Sequence, residues 1–478
     1  MITSTPPINS FRKPGEQRKP AFSFCSSSEV YDWLSAFTNV ERGQNIRSFR
    51  LDRMNALADL AGRPEKCAPA IHVAGSKGKG SVTGMIAAIL EASGIMTACY
   101  ASPHVCDFRE RISLGSKFFD EEAYVTAGNE LWELVEKLPF SPGGQLFSSH
   151  PEDGEAPSFF ELMTLWFFLC TRCTRSGAMA VETGLGGRLD ATNILDPAAS
   201  VITLIELEHT EYLGNTIAAI AEEKAGIIKP GRPVVLARQR EEALEVFREH
   251  AARKGSQLIY FPDCAELSNI SVKREGTSFN LDMGKKSYPN LFIPMPGEVQ
   301  AYNAGLAVLA VKTAYPALDD ESVKAGLEKF SLPARFEKIC DKPPVIIDGA
   351  HTKESTALCL ETFSALYGPG AVLVFGCATG KDVFSMAKLC VPLFSFIIIT
   401  RPGTFKKSDP DMVFAAFNAE AGKTNNKPEI IFIPDTEAAV NRAVSLALER
   451  GLPVLGTGSF YLAGIIRDKF LPHNGAGK

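Results

Sequence analysis

Residues 71–81 combine glycines, two lysines and a serine in a pattern suited to binding phosphate. Glycines let the backbone pass close to phosphate oxygens, and amides at a helix N-terminus donate hydrogen bonds to anions. Lys79 would neutralise charge on the terminal phosphates, and the Ser81 hydroxyl would coordinate or support Mg²⁺. The spacing is shorter than G-x-x-x-x-G-K-[ST], with Gly80 between lysine and serine. The segment predicts an ATP-type site, the alternative being a glycine-rich surface turn.

Polar residues also follow three other apolar stretches, where strands are expected to end. Ser102 follows one stretch, Glu182 the second, and Glu208 with His209 the third. Ligands of open α/β sheets bind beyond the carboxyl ends of the strands. A hydroxyl, a carboxylate and an imidazole gathered there could hold Mg²⁺ between the nucleotide and a second substrate. Singly, each residue has another explanation, namely a helix cap, a surface ion pair or a loop histidine, but their shared position favours a site.

Short apolar runs alternate with longer amphipathic runs from Ala70 onward, which predicts a parallel sheet covered by helices on both faces. The predicted strands are 70–74, 96–101, 178–181 and 200–207, and the helices are 81–93, 121–138 and 159–173. Residues 267–293 break the rhythm, because 270–273 and 278–283 look like antiparallel strands joined at Glu275 and Gly276. After a helix at 300–315, the rhythm resumes with strands at 345–347, 372–375, 396–400, 430–433 and 454–455.

These elements predict the α/β fold class, in two domains. The first is a P-loop parallel-sheet domain with a small β appendage, and the second is a smaller, Rossmann-like α/β domain. We expect a flexible N-terminal tail at residues 1–25, the ATP-binding domain at 26–332 and the C-terminal domain at 333–478. The boundary is placed within residues 331–335.

Composition excludes several classes of function. The chain has 478 residues, with 50 basic and 55 acidic side chains and a formal charge of -5. No basic block could follow a phosphate backbone, so a nucleic-acid partner is not expected. The longest apolar stretches, 159–170 and 391–400, are too short to span a bilayer, and the first 21 residues lack the apolar core of a secretory signal. We therefore expect a cytoplasmic protein with no membrane partner.

The chain has eleven cysteines, an odd number, and they are dispersed from Cys25 to Cys390. This pattern is expected of reduced thiols rather than of a disulfide framework. Cys170 and Cys173 form a C-x-x-C pair at the end of an apolar helical stretch. No second pair follows at zinc spacing. Both are predicted to be buried thiols, not a metal or redox site.

The motifs and their order resemble those of the folylpolyglutamate synthase and dihydrofolate synthase family, which belongs to the ATP-dependent, amide-forming Mur ligase superfamily. The resemblance runs from about residue 34 to residue 471. The matching segments are 71–81, 102–104 with 108–112, 159–161, 182–193, 209–210 with 213–214, 223–227, Gln300 with Asn303, 335–337 and 348–351. Several motifs in family order are much harder to obtain by chance than one glycine loop.

The resemblance implies roles for the matching residues. Those that would contact ATP are Gly75, Ser76, Lys77, Gly78, Lys79, Gly80 and Ser81, with Asn303, Arg335, Asp348 and His351 closing over the nucleotide. Those that would hold two Mg²⁺ ions are Ser81, Ser102, Glu182 and His209, and a monovalent cation is a further candidate. Those with catalytic roles are Lys79, His209 and Lys224. Lys224 corresponds to the lysine that the family carbamylates, a change that would create an anionic oxygen ligand; the sequence leaves the modified and unmodified states open.

The acceptor would be a folate or a dihydropteroate, with its pterin end near Phe160 and Asp190. An aromatic face can stack on the pterin, and a carboxylate can accept hydrogen bonds from its ring N–H groups. Arg109 is a further substrate-binding residue implied by the resemblance. Phe160 begins an apolar helix, so a role in the core remains open. No ligand for L-glutamate is assigned, because residues 400–411 match the family poorly.

The implied reaction begins when the acceptor carboxylate attacks the γ-phosphorus of ATP to form an acyl phosphate. The amino group of L-glutamate then displaces phosphate, and closure of the second domain about a hinge at 331–335 would exclude water. The protein is expected to act as a monomer, and the sequence leaves open whether one or both family reactions occur. The alternatives are another Mur-type amide ligase, disfavoured by 159–161 and 188–193, and a non-catalytic nucleotide-binding regulatory protein.

The chain also departs from the family pattern. Ser76 and Lys77 stand where Thr-Asn is frequent, Glu208 stands where Asp is frequent, and Thr352 replaces a common Asn. The longer Glu208 side chain could alter the support of His209. The expected geometry of His209 is therefore less sharply defined than that of the phosphate loop.

Overall fold

The computed structural model describes residues 23–40, 49–138, 156–403, 406–424 and 427–471. The predicted N-terminal tail lies outside these ranges except for its last three residues. The described residues form an eight-stranded sheet, a three-stranded sheet and a six-stranded sheet with helices packed around them. The predicted α/β fold class, with a larger unit, a β appendage and a second α/β unit, is confirmed.

The eight-stranded sheet is parallel through six strands and has an antiparallel edge. Its strands are β1 (Ala70–Ala74), β2 (Thr97–Tyr100), β3 (Ile112–Leu114), β4 (Lys117–Phe118), β5 (Ala178–Glu182), β6 (Ala199–Ile202), β7 (Val234–Leu236) and β8 (Leu258–Tyr260). Their order is β4-β3-β2-β5-β1-β6-β7-β8, in which β3 and β4 run antiparallel to their neighbours. Strand β1 is therefore central, and both of its neighbours, β5 and β6, are parallel to it.

Helices cover both faces of this sheet. They are α1 (Ser27–Leu34), α2 (Leu51–Leu60), α3 (Lys79–Ala92), α4 (Glu121–Glu136), α5 (Phe159–Cys173), α6 (Thr210–Leu213), α7 (Ile217–Ala225), α8 (Glu241–Lys254) and α9 (Phe261–Cys264). Successive residues of β5 pack into opposite cores, Ala180 on the side of α3 and Met179 on the side of α5. Burial on both faces explains why these strands are continuous apolar runs.

The appendage contains three antiparallel strands, one more than the sequence indicated. They are β9 (Glu266–Lys273), β10 (Gly276–Asp282) and β11 (Ser287–Ile293), followed by α10 (Glu298–Ala314) and α11 (Asp320–Lys329). Phe279, Leu281 and Ile293 pack in the same core as α3 and α10. The appendage thus extends the core beside the helix that follows the glycine loop.

The six-stranded sheet belongs to the second α/β unit. Its elements are β12 (Glu337–Asp341), β13 (Pro344–Ile347), α12 (Lys353–Tyr367), β14 (Ala371–Phe375), α13 (Val383–Cys390), β15 (Phe394–Ile399), α14 (Pro410–Ala421), β16 (Glu429–Phe432), α15 (Thr436–Arg450), β17 (Val454–Thr457) and α16 (Phe460–Phe470). The strand order is β12-β13-β17-β14-β15-β16, so the last strand lies between β13 and β14. Residues 331–335 have no regular structure, and the predicted boundary there stays a prediction.

Two sequence expectations need correction. All eleven cysteines, which lie within the described residues, are free thiols, but only Cys170 of the C-x-x-C pair is buried. Cys173 is exposed because the last turn of α5 emerges from the core. The predicted strand 200–207 ends at Ile202, because the chain then turns toward the glycine loop. Across the described ranges, no helix has the length and apolar character needed to cross a membrane.

Candidate functional site

The glycine loop lies between β1 and α3, as predicted, and is held by the segment that follows β6. The amides of Ser76 and Lys77 donate to the carbonyl of Leu204, with N···O distances of 2.9 and 3.2 Å. Helix α3 begins at Lys79, two residues earlier than predicted. The first turn of the helix therefore starts inside the loop, where its free amides can face an anion.

Positions 75 and 78 require glycine, because both have a left-handed backbone and both lie too close to neighbouring side chains to accommodate a Cβ atom. Their φ angles are +148° and +87°. A Cβ atom on Gly75 would lie 1.8 Å from Thr203 Oγ1, and one on Gly78 would lie 2.5 Å from Asn303 Oδ1. Asn303, predicted to contact the nucleotide, thus lies directly against the loop from α10.

Two lysines converge on the carbonyl oxygen of Gly75. Lys79 Nζ lies 2.9 Å from it and Lys224 Nζ lies 2.8 Å from it. Lys224 is 1% exposed, and its Nζ is 3.1 Å from Glu208 Oε1. Burial, followed by the charge of Lys79, lowers the pKa of Lys224 to about 8, although Glu208 opposes the shift. This concentration of positive charge beside the glycine loop is suited to an anionic ligand.

Glu182 brings a buried carboxylate to the same place. It ends β5, is 4% exposed, and accepts a hydrogen bond from the Ser102 amide at 3.2 Å. A Cβ on Gly80 would lie 3.5 Å from Glu182 Oε2, so the carboxylate faces the start of α3, where Ser81 is also buried. Burial raises the pKa of Glu182 to about 6, while Lys79 opposes the shift. Glu182 has no ion pair within the described part of the chain.

This arrangement fits a magnesium ion bound together with a nucleotide. Mg²⁺ is commonly held by one or two carboxylates, with phosphates and water completing its coordination. Glu182 supplies the carboxylate, Ser102 is bonded to it through its amide, and Ser81 follows Gly80 in the helix turn that the carboxylate faces, so both serines are candidates to add a hydroxyl ligand. The described residues contain no group of three or more His, Cys, Asp or Glu side chains placed to hold a metal by themselves. An ion here would thus depend on oxygen atoms of a ligand.

His209 lies at the start of α6, beside the pair formed by Glu208 and Lys224. Its backbone is left-handed, with φ +47°. The residue lines a cavity between the two α/β units that is described below. The pKa of His209 is lowered, first by desolvation within the cleft and then by Lys79 and Lys224, with Glu208 opposing. A neutral imidazole is consequently favoured, which can accept a hydrogen bond or bind a cation.

The second α/β unit contributes Arg335, Asp348 and His351 to the same region. The Arg335 guanidinium lies 4.5 Å from the centre of the Phe460 ring, and its Nε has no hydrogen-bond partner among the described residues. Burial lowers the pKa of Arg335, whereas Asp348 and Glu182 raise it. The two carboxylates belong to different sheets, so Arg335 lies between the two α/β units.

The positions of Asp348 and His351 are fixed by short loops after β13. Asp348 accepts hydrogen bonds from the amides of Phe336 and Ala350, both at 2.8 Å. The Nδ1 of His351 lies 2.8 Å from the carbonyl oxygen of Gly349. Lys77 also reaches across from the glycine loop, with its Nζ 3.3 Å from Thr352 Oγ1. The structure thus gathers the nucleotide-site candidates of both units around one loop.

A cavity of about 790 Å³ is lined by residues of both α/β units, among them Gly184 and His209, which are close in sequence to Glu182 and Glu208. Phe160 and Asp190, the two residues predicted to lie near the pterin, both line it, and their role in binding an acceptor stays a prediction. The remaining lining residues include Phe49, Arg50, Arg53, Glu161, Leu185, Tyr212, Thr379, Lys381, Lys406 and Lys407. Phe160 is both a cavity residue and a packing residue, because a Cβ on Gly184 would lie 2.3 Å from its ring.

Asp190 does more in the structure than the sequence indicated. Its Oδ2 accepts hydrogen bonds from the amides of Gly184 and Leu185, both at 2.9 Å. Its Oδ1 accepts from the amide of Thr192 at 3.0 Å and from the hydroxyl of Thr192 at 2.5 Å. The carboxylate thereby shapes the loop that forms one wall of the cavity.

Arg109 is not among the residues that line the cavity. Its guanidinium pairs with Asp107 at 2.6 Å and lies 4.6 Å from the centre of the Phe118 ring, near the antiparallel edge of the sheet. The substrate-binding role assigned to Arg109 has no contact in this structure that supports it.

Sequence reasoning missed two charged features of the cavity. Arg53 and Glu161 form a buried ion pair, with Arg53 Nη2 2.8 Å from Glu161 Oε2. Glu161 also completes the capping box of α5 with Ser158. Lys381 follows β14 and lines the cavity from the second unit. The signal that could have found Lys381 is its place after a parallel strand, since ligands bind at that edge.

Comparison with known proteins first defines the class. Residues 171–311 match the Mur ligase middle domain, and residues 334–460 match the glutamate ligase domain of Mur ligases. A dihydrofolate synthase/folylpolyglutamate synthase of Bacillus subtilis is 35% identical over 344 residues, which cover 71% of this chain and 77% of the relative.

Solved structures agree with the sequence matches. A folylpolyglutamate synthase of Mycobacterium tuberculosis, complexed with ADP and AMPPCP, has a TM-score of 0.82 and 28% identity, covering 93% of this chain and 98% of its own. An FPGS–AMPPCP–folate complex has a TM-score of 0.74 and 25% identity, covering 93% and 99%. The chain belongs to the folylpolyglutamate synthase and dihydrofolate synthase family, and the family predicted from the motifs is confirmed.

Proposed function

We propose that the protein is an ATP-dependent ligase that joins a folate or dihydropteroate carboxylate to L-glutamate. The observation that carries this proposal is a cavity of about 790 Å³ whose lining includes Gly184 and His209, close in sequence to Glu182 and Glu208, the two carboxylates beside the glycine loop. Lys79, Glu182 and Lys224 surround the loop, while Phe160 and Asp190 line the cavity. The ADP, AMPPCP and folate complexes of the related synthases support ATP as the phosphoryl donor and a folate as the acceptor.

The first chemical step transfers the γ-phosphoryl group of ATP to the acceptor carboxylate. A carboxylate oxygen forms a bond to phosphorus while the bond to the ADP oxygen breaks, which gives an acyl phosphate and ADP. Lys79 and the free amides at the start of α3 would offset the charge on the transferred group. Asn303, Arg335, Asp348 and His351 would hold the nucleotide from the opposite side.

Magnesium would be held by Glu182, Ser81, Ser102 and His209, together with phosphate oxygens and water. When bound, it would neutralise charge on the phosphates. The raised pKa of Glu182 supports this assignment, because a buried carboxylate without an ion pair gains most from a nearby cation. A second Mg²⁺ and a monovalent cation remain parts of the proposal that rest on family resemblance.

Lys224 is the proposed site of carbamylation. Its pKa of about 8 leaves a substantial fraction of the amine neutral near pH 7.5. The neutral amine can attack CO₂, forming an N–C bond and releasing one proton, which leaves an anionic carbamate. The carbamate would remove the repulsion between Lys224 and Lys79 and add an oxygen ligand beside the magnesium site.

The second step requires that water stay out. The neutral amino group of L-glutamate attacks the acyl carbon, the bond from that carbon to the phosphate oxygen breaks, and the nitrogen passes one proton to the departing phosphate as the amide forms. Contacts across the two units, such as Lys77 to Thr352, support closure about residues 331–335 as the means of excluding water. One chain supplies every residue of the site, which supports a monomer, and eleven free thiols support a cytoplasmic location.

A panel of acceptors tests the function directly. Purified protein is given ATP, Mg²⁺ and L-glutamate with either dihydropteroate or tetrahydrofolate, and ADP release and amide product are both measured. Product with one acceptor identifies a single reaction, and product with both identifies a bifunctional enzyme. ADP and product should be absent in Lys79→Ala. If no product forms with either acceptor, the proposal is contradicted. That result would favour another Mur-type ligase or a nucleotide-binding regulatory protein.

A further inference from the structure

His72 is a fully buried histidine in the central strand β1, and the mechanism above gives it no part. Its side chain is 0% exposed, and burial lowers its pKa to about 3, so the imidazole is neutral. Its Nε2 lies 2.8 Å from Thr192 Oγ1. Its Nδ1 has no hydrogen-bond partner among the described residues. A polar ring in an apolar core, with one nitrogen unpaired, calls for an explanation.

The geometry defines which nitrogen of His72 carries the proton. Burial raises the pKa of Asp190, while the Thr192 hydroxyl and three amides that donate to its carboxylate oppose the shift and favour the ionised form, which can only accept. The Thr192 hydroxyl, 2.5 Å from Asp190 Oδ1, must therefore donate its single hydrogen to that oxygen. The hydroxyl can then only accept from His72. The proton is consequently on Nε2, and the unpaired Nδ1 is a lone pair rather than a donor left without an acceptor.

A continuous chain of hydrogen bonds thus runs from the core strand to the cavity. His72 donates to Thr192, Thr192 donates to Asp190, and Asp190 accepts from the amides of Gly184 and Leu185. Gly184, Leu185 and Asp190 line the cavity. Any shift of the Thr192 hydroxyl would be transmitted to the loop at Gly184 and Leu185, because each group in this series of hydrogen bonds has one fixed partner.

The same strand leads directly into the glycine loop. His72 is three residues before Gly75, and β1 is paired on both sides, so its position is fixed by β5 and β6. We propose that His72 is a positioning residue that sets the acceptor wall of the cavity in register with the phosphate loop. The identification of this wall with the acceptor rests on the proposed function. The positioning itself rests on the hydrogen-bond chain from β1.

Two substitutions at one position separate this role from a general role in stability. His72→Leu removes the donor, and His72→Gln keeps a neutral N–H donor near the place of Nε2. The loss of one buried hydrogen bond in His72→Leu should weaken folate binding roughly 2- to 12-fold. The KM for ATP should stay within about twofold, since the loop amides are held independently by Leu204. His72→Gln should restore most of the loss.

Folate binding is measured by quenching of tryptophan fluorescence, without turnover, and KM values are measured for both substrates. Thr171→Val is the matched control, because it removes a buried hydroxyl that bonds only within α5 to the carbonyl of Phe167. Equal weakening of folate and ATP by His72→Leu would overturn the inference, as would His72→Gln behaving like His72→Leu.

The protonated nitrogen is tested separately by ¹⁵N NMR of ring-labelled histidine, with His72→Gln identifying the His72 signals. A proton on Nε2 is expected, and a proton on Nδ1 would overturn the inference even if the protein is an active ligase. Conversely, suppose that the wild-type protein binds folate but forms no amide, and that His72→Leu weakens this binding. That result would overturn the proposed function and leave the inference about His72 standing. Wild-type protein that binds no folate would overturn both.

Discussion

Gly78→Ala should separate the steric demand of the phosphate loop from ordinary backbone strain. Gly78 has φ +87°, and an added Cβ would lie 2.5 Å from Asn303 Oδ1. Gly94, just after the other end of α3, has φ +82° and no atom within 4 Å of an added Cβ. An L-residue in the left-handed region costs roughly 1–2 kcal/mol, so both alanine variants should lose about that much stability.

The two variants should differ in nucleotide binding. At Gly78 the Asn303 side chain must also move, which breaks its 3.1 Å hydrogen bond to Gln300 and displaces a loop amide. A hydrogen bond to a charged group is worth about 1.5–3 kcal/mol, so losing one to a phosphate should raise the KM for ATP roughly 10- to 100-fold. Gly94→Ala should leave this KM unchanged.

A third variant tests the assigned contact itself. All three nearest atoms to the added Cβ belong to the Asn303 side chain, so Asn303→Ala should relieve the clash. The double variant should lose less ATP affinity than the sum of the single variants, a coupling that isolates the contact. ADP release at varied ATP, with thermal unfolding of each protein, provides the measurements. Equal ATP KM values for Gly78→Ala and Gly94→Ala, or strict additivity in the double variant, would refute the reasoning.

Four further predictions concern the charged groups of the site and the contact between the two α/β units. With ADP bound, the affinity for Mg²⁺ should fall by up to about tenfold per pH unit below pH 6, because the ion needs ionised Glu182, whose pKa is about 6. In calorimetry, Glu182→Gln should bind the ion weakly and its affinity should show no such dependence on pH. The apo protein should lose stability as the pH rises from about 4.5 through 6, since the folded state holds the Glu182 proton more tightly than the unfolded chain, and Glu182→Gln should abolish that loss. Wild-type protein in ¹³C-bicarbonate should give a carbamate ¹³C resonance that Lys224→Arg lacks, and its presence in both would assign the modification elsewhere. Gly464→Ala should lower kcat by up to roughly 100-fold, because its Cβ would lie 2.4 Å from the Val105 carbonyl oxygen on the loop that follows Ser102. Gly422→Ala, at a helix end where the nearest atom to an added Cβ is at the ordinary contact distance of 3.5 Å, should leave kcat unchanged.

The sequence predicted those elements whose pattern is local. Strand β1 and helix α5 have the predicted bounds, because a short apolar run before glycines and a capped apolar helix are distinctive by themselves. Strands β7 and β8 have three residues each, and β12 alternates weakly, so their sequences carry little signal. Their place in a sheet is decided by neighbours that are distant along the chain.

The site shows the same division. The glycine loop and Glu182 could be predicted, since strand ends and glycines are visible in the sequence. The packing of Phe160 on Gly184, and the pairing of Arg109 with Asp107 outside the cavity, depend on side-chain directions that the sequence does not display. Lys381 needed the same strand-end rule to be applied to the second sheet, where the match to the family was poorest.

The placement of β17 has a consequence for synthesis of the chain. Strands β13 and β14 do not pair with each other, because β17, which begins at Val454, separates them. A ribosome must therefore translate past Val454 before this sheet can close, and the residues that follow include Phe460, whose ring lies 4.5 Å from the Arg335 guanidinium. A product of premature termination near Arg450 would lack both β17 and Phe460, so it should be unable to close the second sheet or to transfer the γ-phosphoryl group of ATP.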